Sequence, residues 1–208
     1  YSFYANKTIT TGEGGMAVTS DKALADSIRL MSLHGLSHDA WGRYAKGGSW
    51  DYRIMQPGYK YNLTDIAAAI GLQQLSRAEE MRKQREAIAE YFLSSLADVD
   101  EIELPPHDED RIHSWHLFPI RLNLNSLSID RNEFIQELNQ NNVGTSVHWR
   151  PLHMHPLYNE RLGWNEHHLP AATKRWSEII SLPIFSAMTF EEMAHVADTV
   201  KALCSRYS

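Results

Sequence analysis

The stretch that decides the fold is Tyr1-Ser-Phe-Tyr-Ala-Asn-Lys-Thr-Ile-Thr-Thr-Gly-Glu-Gly-Gly-Met16. A short aromatic segment leads into Lys7, a threonine-rich turn follows, and glycines then precede an apolar segment around Ala17 and Val18. Glycines in such a turn let backbone approach backbone, or a bound group, closely. The pattern predicts two short strands joined by a turn that carries Lys7. A lysine amine held on such a turn can form a Schiff base when it is in its neutral form.

Composition and charge narrow the classes of protein to consider. The chain is 43% hydrophobic and 22% charged, which is ordinary for a globular protein. Its net charge of -6 disfavours nucleic acid and anionic membranes as partners. No apolar run approaches the roughly 20 residues of a membrane helix, and one cysteine, Cys204, excludes an internal disulfide and suits a reducing compartment. We therefore expect a cytoplasmic protein with neither nucleic acid nor membrane as partner.

Periodicity and helix-end signals predict the elements that follow the glycine turn. Asp21 is a candidate N-cap for a helix over residues 21–34. The strongest helical pattern covers residues 63–97, as one long helix that is either straight or kinked and that leads from a first domain into a second. The remaining predicted elements are a strand at 115–122, a helix at 130–141, strands at 143–148 and 180–182, and helices at 171–179 and 189–203, the last opened by a capping box of Thr189 and Glu192.

An aromatic loop is predicted between the first two helices, over residues 35–59. It contains Trp41, Tyr44, Trp50, Tyr52 and Tyr59 among several glycines. A loop of this length and aromatic content is unusual for a passive connection. It is a candidate lid, binding loop or subunit contact.

The Lys7 segment resembles the pyridoxal-phosphate lysine segment of the sugar-nucleotide aminotransferases, the DegT-type family. The match puts Lys7 on the lysine that carries the cofactor and Ser2 on a serine that helps bind the cofactor phosphate. The resemblance implies an α/β fold. Residues 1–85 would be the remainder of an aspartate-aminotransferase-like large domain, with an interface loop and a linking helix, and residues 86–208 a smaller α+β domain. Because a long segment precedes this lysine in the family, the resemblance also implies that the chain is the C-terminal portion of a longer protein.

A second segment, Gly58-Tyr-Lys-Tyr-Asn62, is similar to a family motif written Gly-Tyr-Asn-Tyr-Arg. In the family the asparagine reaches across the dimer to the partner's cofactor phosphate. Here Lys60 occupies the asparagine position and Asn62 the arginine position, so the two functional groups are exchanged. Lysine still offers donors and positive charge, and we expect Lys60 and Asn62 to bind the cofactor. The members that resemble UDP-4-amino-4-deoxy-L-arabinose aminotransferase share this form, and the chain is most similar to them.

A third segment, His148-Trp-Arg150-Pro151, matches the family's His-x-x-Pro segment. The resemblance implies that His148 and Arg150 bind substrate, near the cofactor and a substrate anion. The planar fork of arginine suits a carboxylate or a diphosphate. The alternative is that both side chains make only structural hydrogen bonds at the end of a strand.

A metal site is not predicted, although the chain has 11 histidines. His148, His153 and His155 are close in sequence, as are His167 and His168. The sequence nevertheless contains neither a His-Glu-x-x-His helix nor a pair of cysteines.

The resemblance implies an aminotransferase that uses pyridoxal 5'-phosphate. It would move an amino group from a donor, usually glutamate, to a 4-keto sugar nucleotide in aminosugar and cell-surface polysaccharide biosynthesis, as a homodimer with shared active sites. One alternative is a sugar dehydratase of the same fold, but dehydratases have histidine in place of the lysine, so Lys7 argues against it. Another is a non-catalytic remnant that folds or oligomerises without cofactor. The family's acid for the pyridine nitrogen precedes the lysine, so we expect residues 1–208 alone to be inactive.

Overall fold

The computed structural model describes residues 1–37, 53–106, 108 and 110–208. Packing of the Cα trace divides the chain into two compact units, Tyr1–Ala78 and Glu79–Ser208. Of the predicted aromatic loop, Trp41, Tyr44, Trp50 and Tyr52 lie outside the described residues.

The first unit contains two helices that follow the Lys7 segment. Helix α1 is Lys22–Ser32, and the side chain of Asp21 accepts hydrogen bonds from the backbone N–H groups of Ala23 and Leu24, as the sequence predicts for an N-cap. Helix α2 is Asp65–Ser76, with Thr64 as its N-cap. Neither helix has a buried residue. Apolar side chains such as Ile66 and Leu72 are 78% and 72% exposed.

The long helix predicted for residues 63–97 is broken into two. Helix α2 ends at Ser76, and helix α3 is Ala78–Ser95. Between them Arg77 has φ -103° and ψ 0°, and its N–H donates to the carbonyl of Gln74. This conformation lies outside the α region, so the helix ends at Arg77 and starts again at the next residue.

The second unit contains a three-stranded antiparallel sheet in the order β1-β2-β3. The strands are Ile102–Glu103, Phe118–Leu122 and Ile179–Leu182. Ile102 pairs with Leu122, and Ile120 pairs with Ile180. Along β2 the buried residues alternate with partly exposed ones, which is the period of a strand that covers a core with one face.

Helices complete the second unit around this sheet. They are α4 (Arg131–Gln140), a 3₁₀ turn (Leu152–Met154), α5 (Pro156–Leu162), α6 (Pro170–Glu178) and α7 (Phe190–Tyr207). The predicted capping box of Thr189 and Glu192 opens α7, and Asp130 caps α4. Loops are predicted for the proline-rich stretch before residue 171, but Pro156–Leu162 forms helix α5. The strand predicted at 143–148 contains only one β-bridge, between Ser146 and Ser181.

The hydrophobic core lies in the second unit. The rings of Phe92 on α3 and Phe118 on β2 meet edge to face with centroids 5.2 Å apart. Burial of one such side chain contributes about 1.5–3 kcal/mol. Further core residues come from α4, β3 and α7, among them Phe134, Leu138, Ile180, Val196 and Val200. In the described part of the first unit, the buried residues are Thr11 and Gly35.

Across the described ranges, no helix is both long enough and apolar enough to span a membrane.

Candidate active site

The Lys7 segment forms a hairpin that is closed by backbone hydrogen bonds. Ser2 and Gly15 form an antiparallel bridge. On one side of it the Phe3 N–H donates to the Gly14 carbonyl at 2.9 Å, and the turn beyond places the Lys7 N–H 3.0 Å from the Tyr4 carbonyl. The two strands predicted here are reduced to this single bridge. The turn still holds Lys7 where the sequence predicts it, with a half-buried side chain.

Two glycines allow the hairpin to close. At Gly14 φ is +152°, and a Cβ atom there would lie 2.5 Å from Thr11 Oγ1. A Cβ atom at Gly15 would lie 2.9 Å from the Tyr1 carbonyl oxygen. Larger residues would push the two arms of the hairpin apart. The structure therefore has the close backbone approach that the glycines predict.

Threonine side chains fix the turn that follows Lys7. Thr10 Oγ1 donates to the Phe3 carbonyl at 3.0 Å and accepts from the Gly12 N–H at 2.9 Å. The Thr10 N–H reaches Gln74 Oε1 on α2 at 3.4 Å. The turn is therefore bonded both to the hairpin and to a helix, and no sequence motif predicts the contact with Gln74.

Ser2, the predicted phosphate ligand, lies on the bridge of this hairpin. Its Oγ accepts a hydrogen bond from the Tyr4 N–H at 3.4 Å. The side chain is exposed, so its hydroxyl hydrogen can be donated to a ligand.

Lys60 and Asn62, the two exchanged positions, contact each other. Lys60 Nζ donates to Asn62 Oδ1 at 2.6 Å. The backbone between them is fixed to the end of α1, because the Tyr61 N–H donates to the Ser32 carbonyl at 2.8 Å and Lys60 forms a bridge with Leu33. The Lys60 ammonium and the Asn62 amide are therefore held side by side.

A groove of about 1080 Å³ lies beside this pair in the first unit. The glycine turn and the Tyr59–Leu63 segment line it, and Asn62 is the predicted site residue that does so. The rings of Tyr59 and Tyr61 stack there with centroids 4.9 Å apart. Neither Lys7 nor Lys60 belongs to the described lining of the groove.

His148 lies in the second unit, where Ser181 holds its ring. His148 Nδ1 is 2.8 Å from Ser181 Oγ. Ser181 is on β3 and is 3% exposed. Its backbone exchanges two hydrogen bonds with Ser146, at 3.2 and 2.7 Å, which fixes the segment that leads to His148. No sequence signal could have found Ser181, because the contact joins residues 33 positions apart.

Arg150, also in the second unit, lies over the ring of Trp176. Its guanidinium carbon is 5.3 Å from the ring centroid, and that of Arg131 is 5.0 Å from it. Arg131 is buried, and desolvation lowers its pKa from the usual value for an arginine. Arg150 is exposed. A cation–π contact of this kind orients the Arg150 fork while leaving its N–H donors for a ligand.

The predicted site residues thus form two groups. Ser2, Lys7, Lys60 and Asn62 lie in the first unit, and the second unit holds His148 and Arg150. In the part of the chain that the structure describes, histidine, cysteine, aspartate and glutamate side chains form no cluster of three or more that could hold a metal ion.

Comparison with known proteins gives consistent matches along the chain. The model of the DegT/DnrJ/EryC1/StrS aminotransferase family matches residues 1–201. The protein MJ1066 of Methanocaldococcus jannaschii, which is uncharacterised, is 45% identical over 99% of this chain and 53% of its own length. The spore coat polysaccharide biosynthesis protein SpsC of Bacillus subtilis is 40% identical over 97% of this chain and 52% of its own length. The chain therefore spans about half the length of the curated relatives it matches.

Solved structures agree with these matches. The PMP form of Spr1654 of Streptococcus pneumoniae, assigned as a sugar aminotransferase, superposes with a TM-score of 0.84 and 31% identity, over 99% of this chain and 52% of the other. PseC of Helicobacter pylori, an aminotransferase involved in the biosynthesis of pseudoaminic acid, gives a TM-score of 0.87 at 25% identity, over 99% of this chain and 52% of the other. Spr1654 has also been solved in its PLP form, and pyridoxal phosphate is the cofactor of this α/β aminotransferase family. From the match over residues 1–201, the chain belongs to the DegT/DnrJ/EryC1/StrS aminotransferase family.

Proposed function

We propose that the protein that contains these residues is a pyridoxal-phosphate-dependent aminotransferase. It transfers an amino group from an amino donor, glutamate, to a 4-keto sugar nucleotide, for use in aminosugar and cell-surface polysaccharide biosynthesis. Family membership supports the reaction class. The substrate class is supported by the functions of relatives, which include spore coat polysaccharide biosynthesis and sugar aminotransfer.

The observation that carries this proposal is the position of Lys7. It lies on a turn that the hairpin, Thr10 and Gln74 hold on both sides. A half-buried lysine on a fixed turn suits covalent attachment of an aldehyde, because the fixed backbone limits where its amine can reach. The other lysines among the described residues of the first unit have different settings: Lys22 pairs with Asp26 on the exposed surface of α1, and Lys60 donates to Asn62.

The residues present fit two ends of the cofactor. Lys7 supplies the amine for its aldehyde. Ser2 supplies a hydroxyl, and the pair of Lys60 and Asn62 supplies an ammonium, both of which suit the phosphate. When bound, pyridoxal phosphate supplies an electron sink that stabilises negative charge on the carbon that loses a proton.

The protein groups then have distinct tasks. Lys7 Nζ would hold the cofactor through its aldehyde, and as a free amine it would take and return the proton at the α-carbon of the amino donor. His148 and Arg150 bind the anionic groups of the substrate, with the planar fork of Arg150 directed to a carboxylate or diphosphate. Lys60 and Asn62 act at the phosphate of the partner subunit in a homodimer, so that each active site uses residues from both subunits.

The finer architecture is part of this proposal. Residues 1–85 belong to the aspartate-aminotransferase-like large domain, and residues 86–208 form the small C-terminal α+β domain. The division of the chain into compact units near Ala78 supports such a boundary.

Trapping of the cofactor tests the proposal. The protein is loaded with pyridoxal phosphate, reduced with borohydride, digested and mapped by mass spectrometry. We expect the label on Lys7, its loss together with transamination in Lys7→Ala, and full labelling in the control variant Lys22→Ala. A Lys7→Ala protein that still traps the cofactor on another lysine would refute the assignment.

One observation favours the second candidate, a non-catalytic remnant, for residues 1–208 taken alone. Helices α1 and α2 bury no residue and leave Ile66 and Leu72 exposed. Apolar surface of this kind needs a covering chain. We therefore propose that this polypeptide by itself oligomerises or is poorly soluble and does not turn over a 4-keto sugar nucleotide with glutamate. Turnover by purified protein whose mass confirms Tyr1 as its first residue would contradict this.

A further inference from the structure

The contact between His148 and Ser181 constrains the proton of the imidazole as well as the position of the ring. His148 Nδ1 and Ser181 Oγ are 2.8 Å apart, a good hydrogen-bond distance. The Ser181 side chain is almost fully buried, at 3% exposure of the residue. In the described part of the chain, the Ser181 hydroxyl has no second hydrogen-bond partner.

The direction of this hydrogen bond follows from counting protons. A serine hydroxyl has one hydrogen to donate, and a neutral imidazole has one N–H and one acceptor nitrogen. If His148 donated from Nδ1, the hydroxyl hydrogen of Ser181 would need another acceptor. The described residues provide none, and burial leaves little access for water. An unsatisfied buried hydroxyl is costly, so Ser181 donates to Nδ1 and the ring proton lies on Nε2.

We propose that Ser181 is a positioning residue that holds neutral His148 in the Nε2–H tautomer. The neutral ring then presents a donor, and not an acceptor, at Nε2, because the hydrogen bond that one ring nitrogen makes sets the proton on the other. A ligand atom at Nε2 must accordingly be an acceptor, such as a carboxylate, phosphate or keto oxygen. The neutral ring cannot act there as a general base.

The tautomer itself is independent of the proposed function, whereas its use toward a substrate oxygen rests on that function. Cofactor trapping on Lys7 and the tautomer of His148 are separate measurements, so the failure of either one is recognised without the other.

Nitrogen NMR of the whole protein that contains these residues tests the proposal directly. The chain is labelled with ¹⁵N-histidine, and multiple-bond ¹H–¹⁵N spectra are recorded at a pH at which the ring is neutral; His148→Gln identifies the resonances. We expect a pyridine-type shift for Nδ1 and a pyrrole-type shift for Nε2. The ratio of Nε2–H to Nδ1–H should exceed that of a blocked histidine peptide in the same buffer by roughly tenfold, from one hydrogen bond.

Three variants isolate the role of the hydroxyl. Ser181→Ala should return the ratio to that of the peptide, and Ser181→Thr, which keeps a hydroxyl, should preserve the wild-type ratio. Ser146→Ala is the matched control, because it removes an exposed hydroxyl from the backbone partner of Ser181 and should change nothing. An Nδ1–H ring in the wild type, a wild-type ratio equal to the peptide's, or an unchanged ratio in folded Ser181→Ala would overturn the proposal. If Ser181→Ala does not fold, the wild-type spectrum alone decides.

Discussion

Removal of either member of the Lys60–Asn62 pair should weaken retention of pyridoxal phosphate. Lys60 Nζ lies 2.6 Å from Asn62 Oδ1, and Asn62 lines the groove beside the glycine turn. Loss of a hydrogen bond that leaves a charged or polar partner unpaired costs about 1–3 kcal/mol. At about 1.4 kcal/mol per factor of ten, Lys60→Ala should raise the Kd for the cofactor by roughly 5- to 150-fold.

The contact between Lys60 and Asn62 also predicts how the two substitutions combine in their effect on cofactor affinity. If Asn62 acts by orienting the ammonium of Lys60, it has no effect once that ammonium is gone. Asn62→Ala alone should then cost about 0.5–1.5 kcal/mol, the usual value of one hydrogen bond, and nothing further in a Lys60→Ala background. The double variant should therefore bind the cofactor as Lys60→Ala does.

Titration with pyridoxal phosphate, followed by its absorbance, measures these affinities in protein shown by sedimentation to be dimeric. Lys22→Ala is the matched control, because Lys22 also has a close polar partner, Asp26 at 2.5 Å, but is 88% exposed on α1. Its Kd should equal that of the wild type. Unchanged affinity in both single variants of a proven dimer would remove the phosphate role, and additive losses would remove the orienting role of Asn62.

Three further predictions concern the second unit. Arg150→Lys keeps the charge but loses the planar fork over Trp176. Steady-state kinetics should therefore show a higher KM for a substrate anion, with an unchanged melting temperature. Equal kinetics with a lowered melting temperature would instead show a structural role. Burial, with a smaller contribution from the Glu101 carboxylate, raises the pKa of Cys204 from 9.0 to about 12, so the unfolded chain ionises first as the pH rises. Ionisation of Cys204 therefore leaves the free energy of unfolding unchanged below pH 9 and lowers it by about 2 kcal/mol at about pH 10.5. Denaturant melts of Cys204→Ala should lack that loss. Arg85→Met should lower the free energy of unfolding by about 2–4 kcal/mol, because one buried guanidinium nitrogen donates to the carbonyls of Trp115 and Ile184 at 3.0 and 3.1 Å. A loss no larger than that of Arg82→Met, whose guanidinium pairs with Glu79 and Glu86 on the same helix, would contradict this.

Features set by neighbouring residues could be predicted from the sequence. The N-cap at Asp21 and the capping box of Thr189 and Glu192 depend on hydrogen bonds within one helical turn, and both are confirmed. The close approach at Gly14 and Gly15 follows from the absence of Cβ atoms and is also present. The family could be assigned for the same reason, since its signature is a short run of residues around Lys7.

Features that depend on distant contacts or on a single backbone angle could not be predicted from the sequence. The helical period continues through Arg77, so the break there has no mark in the pattern. Prolines indicated loops, yet Pro156 stands at the first turn of α5, where a missing N–H costs nothing. The partners of the site residues, Ser181 for His148 and Trp176 for Arg150, come from elements that only the fold brings near.

Side chains are buried mainly after Arg77, and this affects hydrogen exchange and the choice of a segment for expression. Among the described residues, every large side chain of the core belongs to residues 79–208. Amide hydrogens of α3 and α7 should consequently exchange with solvent far more slowly than those of α1 and α2, since protection follows the stability of the surrounding core. Residues 79–208 are also the natural segment to express as a separate small domain, and that domain would retain His148, Arg150 and the partners that hold them.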